Sequence, residues 1–151
     1  MIGEFRGRYR FLSNFYPCTI VYHERTFRST EAAYQAAKFP SEAYGEFEVA
    51  TASEAKKAGH GVEPPGWKER SLQVMLDVLR IKFAKEPLRT MLLETGEEEL
   101  VEGNLWHDNF YGVCHCVAGC PPERRAPGQN HLGKLLMQVR NELRQEIQQK
   151  I

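Results

Sequence analysis

The sequence predicts a mainly α-helical fold, a compact single domain of residues 1–151 with a small β element near the N-terminus. Two observations predict the helices. Apolar residues recur at helical spacing over two long segments, and capping residues, prolines and glycines delimit several shorter ones. A third observation predicts the β element, because aromatic and β-branched residues are concentrated before residue 28. No repeat or linker divides the chain, and 151 residues suffice for one hydrophobic core.

The β element is predicted within residues 5–27. Aromatic and β-branched residues there are interrupted by turn formers such as Asn14 and Pro17, which indicates loops and short strands. We predict a hairpin in which Cys18–Tyr22 pairs with Thr26–Phe27 across a turn at His23–Glu24.

The first helix is predicted to begin at Thr30, a good N-cap, with Glu31 at the first helical position. It should extend to about Phe39, because Pro40 disfavours helical backbone at the residue before it. A second short helix is predicted over about residues 41–51.

A third short helix is predicted to be capped by Ser53 and to end at Gly59 or Gly61. The two longest helices are predicted over about Trp67–Lys85 and Asn130–Gln149. Their apolar stripes consist of Leu72, Met75, Leu76, Leu79 and Phe83 in the first, and Leu132, Leu135, Leu136, Val139, Leu143 and Ile147 in the second.

Shorter elements are predicted between the two long helices. Pro87–Thr95 should form a short helix that Gly96 stops, and Leu100–Val101 a short strand. Residues 103–129 are predicted to be irregular, because glycines and prolines are frequent there.

Charge and hydropathy exclude several classes of protein. The 20 Lys and Arg residues balance 20 Asp and Glu residues, so no overall field favours nucleic acid or an anionic membrane. The first ten residues lack the apolar run of a signal peptide, and no segment approaches the roughly 18 apolar residues that span a bilayer. We therefore expect a cytoplasmic protein without membrane partners, whose cysteines are reduced thiols or metal ligands.

One face of the first predicted helix is polar. Glu31, Tyr34, Gln35 and Lys38 lie at helical spacings of three and four residues, while alanines occupy much of the opposite side. The pattern fits a solvated face with an intrahelical ion pair. It also fits a hydrogen-bonding stripe that faces a cleft, with the alanine side packed closely against a neighbouring helix.

The predicted irregular segment contains a cysteine cluster. Cys114, Cys116 and Cys120 form a C-x-C-x3-C pattern, which can bind zinc through thiolates together with a histidine such as His107 or His131. Such a zinc ion is expected to be structural and to clamp the loop.

Several segments, in order along the chain, match the motifs of one family. They are Phe11–Phe15 (F-S-N-F), Ser29–Phe39 (T-E-H-x-[YF]-Q-A-x-K-F), Ala55–Gly59 (A-K-x-x-G), Trp67 to Phe83 (W…M…R-x-K-F), Leu93 to Glu102 (L-x-x-T-G…L-V-E), Asp108–Gly112 (D-x-x-W-G) and Gly128–Arg140 (G-x-N-x-L-G-[KR]-x-L-M-x-[VI]-R). On these blocks, which extend over nearly the whole chain, the sequence resembles the NADAR (YbiA-like) family.

The resemblance implies a YbiA-like helical fold and an N-glycosidase, a hydrolase acting on a ribosyl C–N bond. Family members are implicated in removing a base-like fragment from phosphoribosylated intermediates of riboflavin synthesis, and in removing ADP-ribose from guanine. The expected substrate is therefore a phosphorylated nucleotide-like small molecule or ADP-ribosylated nucleic acid. The chemistry of the family requires no cofactor.

Glu31 and Lys38 are the first catalytic candidates that the resemblance implies. An ionised carboxylate can stabilise the oxocarbenium-like sugar of the transition state or orient a water molecule. The first helical turn suits Glu31 to this role, since the helix dipole favours its anion. Lys38 can bind a phosphate, or attack the sugar C1 as a Schiff-base nucleophile if burial lowers its pKa. Lys56 and Lys82 compete with it for that role.

Asp108, with Glu102, is the candidate for the carboxyl group that protonates the leaving base. The alternative for Asp108 is a turn residue that bonds to its own backbone. Aromatic side chains can stack on the base, Asn14 can bind a ribose hydroxyl or a base edge, and Asn130 either binds phosphate at its helix terminus or only caps that helix. The candidates for substrate binding are Asn14, Phe15, Tyr34, Gln35, Lys56, Trp67, Lys82, Glu102, Trp106, Tyr111 and Asn130.

The sequence departs from the family pattern at three positions. Ala32 replaces a histidine, His60 replaces an arginine, and Val113 replaces an acidic residue. The losses at Ala32 and Val113 support an alternative in another class, a non-catalytic module that binds ADP-ribose or NAD. The cysteine cluster supports a second alternative, a zinc-clamped adaptor that binds nucleic acid.

Overall fold

The computed structural model describes residues 1–150, which form two compact units. One unit comprises residues 14–89, and the other comprises residues 1–13 together with residues 90 onward. Helices dominate the described chain, and the strands are short. The predicted mainly α fold with a small β element near the N-terminus is confirmed, whereas the single domain of residues 1–151 stays a prediction.

The predicted N-terminal hairpin is present in the unit of residues 14–89. Strands β1 (Ile20–Tyr22) and β2 (Arg25–Phe27) are antiparallel, with Ile20 opposite Phe27. The two turn residues, His23 and Glu24, have φ angles of 50° and 64°, as a two-residue turn that matches the strand twist requires.

Helix α1 (Thr30–Ala36) is buried along its entire length. Its N-cap is Ser29, whose hydroxyl accepts a hydrogen bond of 3.1 Å from the Ala32 backbone, so the predicted cap at Thr30 is wrong by one residue. The helix ends before the predicted Phe39, since the last turn tightens to bonds between residues three apart ahead of Pro40.

Two short helices follow in the same unit. A 3-10 turn at Ser41–Ala43 leads into α2 (Tyr44–Glu48), within the predicted segment. Helix α3 (Ala52–Gly59) is capped by Thr51, not by Ser53 as predicted, because Thr51 and Glu54 form a reciprocal capping box.

Helix α4 (Trp67–Phe83) is the longest element of this unit and packs against α1 and β1. Gly66 precedes it with a φ of 78°, a left-handed conformation that glycine adopts without strain. Helix α5 (Leu88–Leu93) follows within the predicted Pro87–Thr95 segment, and Gly96 has a φ of 64° where a stop was predicted.

In the other unit, the predicted strand at Leu100–Val101 is reduced to an isolated bridge between Ile2 and Leu100. The segment predicted to be irregular contains two short parallel strands, β3 (Gly103–Asn104) and β4 (Val113–Cys114), and a 3-10 turn at Pro122–Arg124. Backbone pairing over two residues leaves no periodicity from which such strands could be predicted.

Helix α6 (His131–Gln149) closes the described chain. Its Gly133 lies so close to the Leu100 carbonyl that a Cβ there would overlap the oxygen. The buried Arg140 donates a hydrogen bond of 2.8 Å to the Thr95 hydroxyl. Within residues 1–150, no helix combines the length and hydropathy that crossing a bilayer demands.

Candidate active site

Glu31 occupies the first turn of α1 and is only 8% exposed. The loop before the helix holds this turn, since the Asn14 carbonyl accepts a hydrogen bond of 3.1 Å from the Glu31 backbone N–H. The solvated-face alternative therefore does not describe this carboxylate, which the helix places inside the unit of residues 14–89.

The Asn14 side chain is itself buried and reinforces this junction. The Thr30 hydroxyl lies 3.1 Å from Asn14 Oδ1, and Asn14 Nδ2 lies 3.4 Å from the sulfur of Met75 on α4. Asn14 thus joins the loop, α1 and α4. These contacts make it a residue that positions Glu31.

The Glu31 carboxylate has a partner one turn along the same helix. Gln35 Nε2 donates a hydrogen bond of 2.9 Å to Glu31 Oε1. Gln35 Oε1 is buried against Gly59 of α3, where a Cβ would collide with it, and makes no hydrogen bond to any residue from 1 to 150. Gly59 therefore provides the space in which Gln35 can orient the glutamate.

Lys38 lies just beyond α1 and is half-buried. Its Nζ donates a hydrogen bond of 3.0 Å to the Gly59 carbonyl and lies 5.8 Å from the centre of the Trp67 ring. Burial lowers the pKa of Lys38, while the charges of Glu31 and Glu63 act in the opposite direction. The cation thus lies in the electrostatic field of the candidate carboxylate.

Lys82 of α4 is the most buried cation of this unit, at 2% exposure. Burial lowers its pKa from 10.5 to about 8, and Cys18 opposes that shift. Its Nζ lies 5.7 Å from the centre of the Tyr16 ring. Burial also raises the pKa of the Cys18 thiol, with Lys82 and a hydrogen bond from the Thr30 backbone acting against it.

The candidate aromatic side chains of this unit differ in exposure. Trp67 is 5% exposed and packs edge-on against Tyr34 at 5.3 Å, so it belongs to the core around α1. Phe15 is 42% exposed, and the Lys56 Nζ lies 5.6 Å from its ring centre. Of Trp67 and Phe15, only Phe15, with the Lys56 cation beside it, is accessible to a planar ligand.

Asp108 in the other unit adopts the alternative role that the sequence leaves open. Its Oδ1 accepts hydrogen bonds from the backbone N–H groups of Phe110, at 3.0 Å, and Tyr111, at 2.9 Å. The carboxylate thereby closes a turn of its own backbone. No catalytic contact of Asp108 is needed to explain this geometry.

Asn104, which the sequence analysis missed, organises the same loop and is 2% exposed. Its Oδ1 accepts bonds from the backbone N–H groups of Trp106 and Asp108, at 3.2 and 3.1 Å. Its Nδ2 lies 2.8 Å from the Asp108 carbonyl and 3.1 Å from the Glu102 carboxylate. No local sequence pattern singles out this asparagine, because its partners come from the folded loop.

Asn130 does not cap α6 with its side chain. Its backbone has a φ of 53°. Its Nδ2 donates a hydrogen bond of 2.9 Å to the Leu100 carbonyl, and its Oδ1 accepts one of 3.0 Å from the Glu102 N–H. Asn130 therefore joins α6 to the chain at residues 100–102. Tyr111 stacks edge-on against Phe110 at 4.8 Å, and Trp106 is exposed.

The cysteine cluster is assembled in this unit with a histidine. His107, Cys114, Cys116 and Cys120 bring their ligand atoms within 4.8 Å of one another. The other histidine considered from the sequence, His131, has its Nε2 2.9 Å from Gln129 Oε1. Of those two, the structure places His107 at the cysteines.

The candidate residues thus divide between the two units. The unit of residues 14–89 contains Asn14, Phe15, Glu31, Tyr34, Gln35, Lys38, Lys56, Trp67 and Lys82. The other unit contains Glu102, Trp106, Asp108, Tyr111, Asn130 and the cysteine cluster. The structure adds three residues near the candidates of the first unit that sequence reasoning did not select, namely Tyr16, Cys18 and Gly59.

Comparison with known proteins identifies relatives over almost the full chain. The model of the NADAR domain matches residues 3–144. N-glycosidase YbiA of Escherichia coli strain K12 is 32% identical over 141 residues, which cover 87% of this chain and 79% of that protein. The NMR structure of E. coli YbiA superimposes with a TM-score of 0.78 at 29% identity, covering 97% of this chain and 86% of the other.

A longer relative carries a different name. A riboflavin biosynthesis protein of Vibrio vulnificus is 34% identical over 142 residues, which cover 89% of this chain. The match spans only 36% of the Vibrio protein, so most of that protein has no counterpart here.

Proposed function

Because the chain belongs to the NADAR domain family, we propose that it is an N-glycosidase, a hydrolase that breaks the C–N bond between a ribose and a nitrogen base. The name of the similar E. coli protein, N-glycosidase YbiA, supports this reaction class. The observation that carries the proposal is Glu31, a buried carboxylate whose orientation is set by Asn14 on one side and Gln35 on the other.

The proposed reaction develops positive charge on the sugar. As the C1′–N bond breaks, its electron pair leaves with the base, which takes up a proton, and C1′ becomes oxocarbenium-like. The Glu31 carboxylate stabilises that cation, since Coulomb attraction is stronger in a buried site than in water. Water then adds to C1′ and loses a proton, which completes the hydrolysis.

Lys38 and Lys82 supply two distinct chemistries in the same unit. Lys38 is half-buried beside Glu31 and suits a phosphate of the substrate. Lys82, with its pKa of about 8, suits the covalent route. There the neutral amine displaces the base at C1′, the ribose opens to an imine, and water hydrolyses the imine to regenerate the lysine.

Two substrates follow from this proposal. One is a phosphoribosylated intermediate of riboflavin synthesis, which the name of the Vibrio relative supports. The other is ADP-ribosylated guanine, free or in nucleic acid. The exposed Phe15 ring with the adjacent Lys56 cation suits either substrate, because both combine a flat heterocycle with phosphate.

The proposal is tested by incubating the protein with each substrate and measuring the released base and ribose product by liquid chromatography and mass spectrometry. For at least one of the two substrates, we expect release of the base and a ribose product that carries one oxygen from ¹⁸O-labelled water. Saturable binding without release, under conditions in which YbiA releases base, would instead identify a binding module. Reduction with borohydride during turnover would trap a lysine adduct only on the covalent route.

A further inference from the structure

Four side chains of the types that bind transition metals converge in the unit that contains residues 90–150. His107, Cys114, Cys116 and Cys120 are all half-buried, and their ligand atoms lie within 4.8 Å of one another. We propose that this cluster is a structural zinc site.

Three of the separations are close to those around a tetrahedral zinc ion. Zn–S bonds of about 2.3 Å and Zn–N bonds of about 2.0–2.1 Å place two sulfurs about 3.8 Å apart and a sulfur and a nitrogen about 3.6 Å apart. Cys116 Sγ and Cys120 Sγ are 3.6 Å apart, and His107 Nδ1 lies 3.3 Å from Cys120 Sγ and 3.8 Å from Cys114 Sγ. Two sulfurs joined in a disulfide would be about 2.05 Å apart.

The donor set selects the metal and its role. Three thiolates with one imidazole favour zinc over oxygen-seeking cations such as magnesium or calcium. Four protein ligands leave no coordination position open for water or substrate, so the role of the ion is structural rather than catalytic. Zinc binds cysteines as thiolates and competes with protons for them, so zinc affinity falls as pH is lowered.

Asn109 forms hydrogen bonds to two of the cysteines in this donor set. Its Nδ2 lies 3.4 Å from Cys120 Sγ and 2.9 Å from the Arg124 carbonyl, and its Oδ1 accepts 2.9 Å from the Cys114 N–H. The Cys116 N–H points at Cys114 Sγ over 3.4 Å. Such N–H···S bonds orient thiolates and stabilise their charge, as the partners of metal ligands do in zinc sites.

The site ties together the two ends of a loop. His107 and Cys120 delimit it, and it includes strand β4 and the turn closed by Asp108. His107 itself has a φ of 68°, in the left-handed region that non-glycine residues seldom adopt, although histidine is found there more often than most. Zinc coordination holds the ring toward the sulfurs.

The first test measures metal directly. The untagged protein, purified by gel filtration, is expected to contain about one zinc per chain by inductively coupled plasma mass spectrometry. Exchange for cobalt(II) should give the visible bands of a tetrahedral ion and sulfur-to-cobalt charge-transfer absorption. A protein that contains no zinc and gives no such bands with cobalt, or one with a disulfide between Cys116 and Cys120, would overturn the proposal.

Variants then identify the ligands. Cys120→Ser should lose zinc, whereas Cys18→Ser, which changes the cysteine outside the cluster, should retain it. His107→Ala should change the cobalt spectrum and His131→Ala should not. Asn109→Ala keeps all four ligands and should weaken zinc binding by about 10–100-fold, even if the ligand variants fail to fold. Equal zinc content in Cys120→Ser and wild type would contradict the assignment.

Discussion

Lys82 is a cation buried in the core of its unit, and this burial has an energetic consequence that can be measured. Its pKa is about 8 in the folded chain, against 10.5 for an ordinary lysine. Between these two values the unfolded chain binds more protons than the folded chain, so the free energy of unfolding rises with pH. At neutral pH the charged lysine destabilises the fold.

Replacing Lys82 by methionine should therefore stabilise the protein at pH 7 and flatten its pH dependence. Relative to Lys82→Met, the wild-type free energy of unfolding is expected to increase by about 1 kcal/mol between pH 7 and pH 9, because the pKa of Lys82 is lowered to about 8. Urea unfolding of both proteins at several pH values measures this difference, in which the contributions of groups that both chains share, such as Cys18 with its raised pKa, largely cancel. The exposed-site variant Lys57→Met should keep the wild-type slope, and an unchanged slope in Lys82→Met would contradict the account.

Asp108 provides a second test at the residue scale. Its carboxylate accepts two backbone hydrogen bonds, and the amide oxygen of asparagine can accept the same two. Asp108→Asn should therefore retain most of the stability, while Asp108→Ala should lose about 1–2 kcal/mol. Thermal melting compares them, and equal melting temperatures for the two variants would show that the turn does not depend on this side chain.

Among the single residues, Lys82 could have been predicted to be buried, whereas its partner could not. Lys82 lies three residues after Leu79 and seven after Met75, on the apolar stripe of α4, which indicates burial. Its electrostatic interaction with Cys18 joins positions 64 residues apart and depends on tertiary packing. Asn104 escaped prediction for the same reason, since the loop that it organises exists only in the folded chain.

At the scale of elements, the contact between α1 and α3 sets the orientation of Gln35. Gly59→Ala would place a methyl group on the Gln35 amide, which must then move away from Glu31. Such overpacking costs about 1–3 kcal/mol. Gly45→Ala on α2 is a matched control, since a Cβ there meets no atom within 4 Å.

The measurement is chemical unfolding of Gly59→Ala, Gly45→Ala and the double variant Gly59→Ala with Gln35→Ala. Gly59→Ala is expected to be destabilised, and Gly45→Ala to be neutral or slightly more stable. The double variant should recover part of the loss, because the colliding amide is absent. Additive losses in the double variant would show that the two residues do not interact.

Helix caps discriminate between the predicted and the observed start of α3. Thr51→Ala should cost about 1 kcal/mol, because the hydroxyl accepts from Glu54 N, whereas Ser53→Ala should have little effect. Urea unfolding of both variants decides between the two. A larger loss of stability in Ser53→Ala than in Thr51→Ala would instead support the predicted cap at Ser53.

Helices and strands could be predicted where a short-range sequence pattern specifies them. The hairpin followed from strand residues around a two-residue turn, and the long helices from their apolar period. The Thr51 cap was also readable, because threonine with a glutamate three residues later is a capping-box pattern. The burial of α1 on every side was not readable, because its polar residues contact other elements rather than solvent.

At the scale of the whole molecule, sequence motifs extend across both compact units. The NADAR match covers residues 3–144, and the matched motifs include the glutamate helix in one unit and the Asp108 turn in the other. The balanced net charge of zero gives the chain no overall attraction for phosphate. If the substrate is phosphorylated, as we propose, we expect its recognition to depend on individual cations such as Lys38 and Lys56.

The central claim is that the buried Glu31 carboxylate stabilises the ribosyl cation, and steady-state kinetics of Glu31→Gln tests it most directly. Glutamine keeps the shape and can still accept the bond from Gln35, so only the negative charge is removed. The expected loss in kcat is about 10²–10⁴-fold, with KM nearly unchanged. Glu69→Gln, at an exposed glutamate in the first turn of α4, should retain wild-type activity. A Glu31→Gln variant that released the base at the wild-type rate would contradict the account.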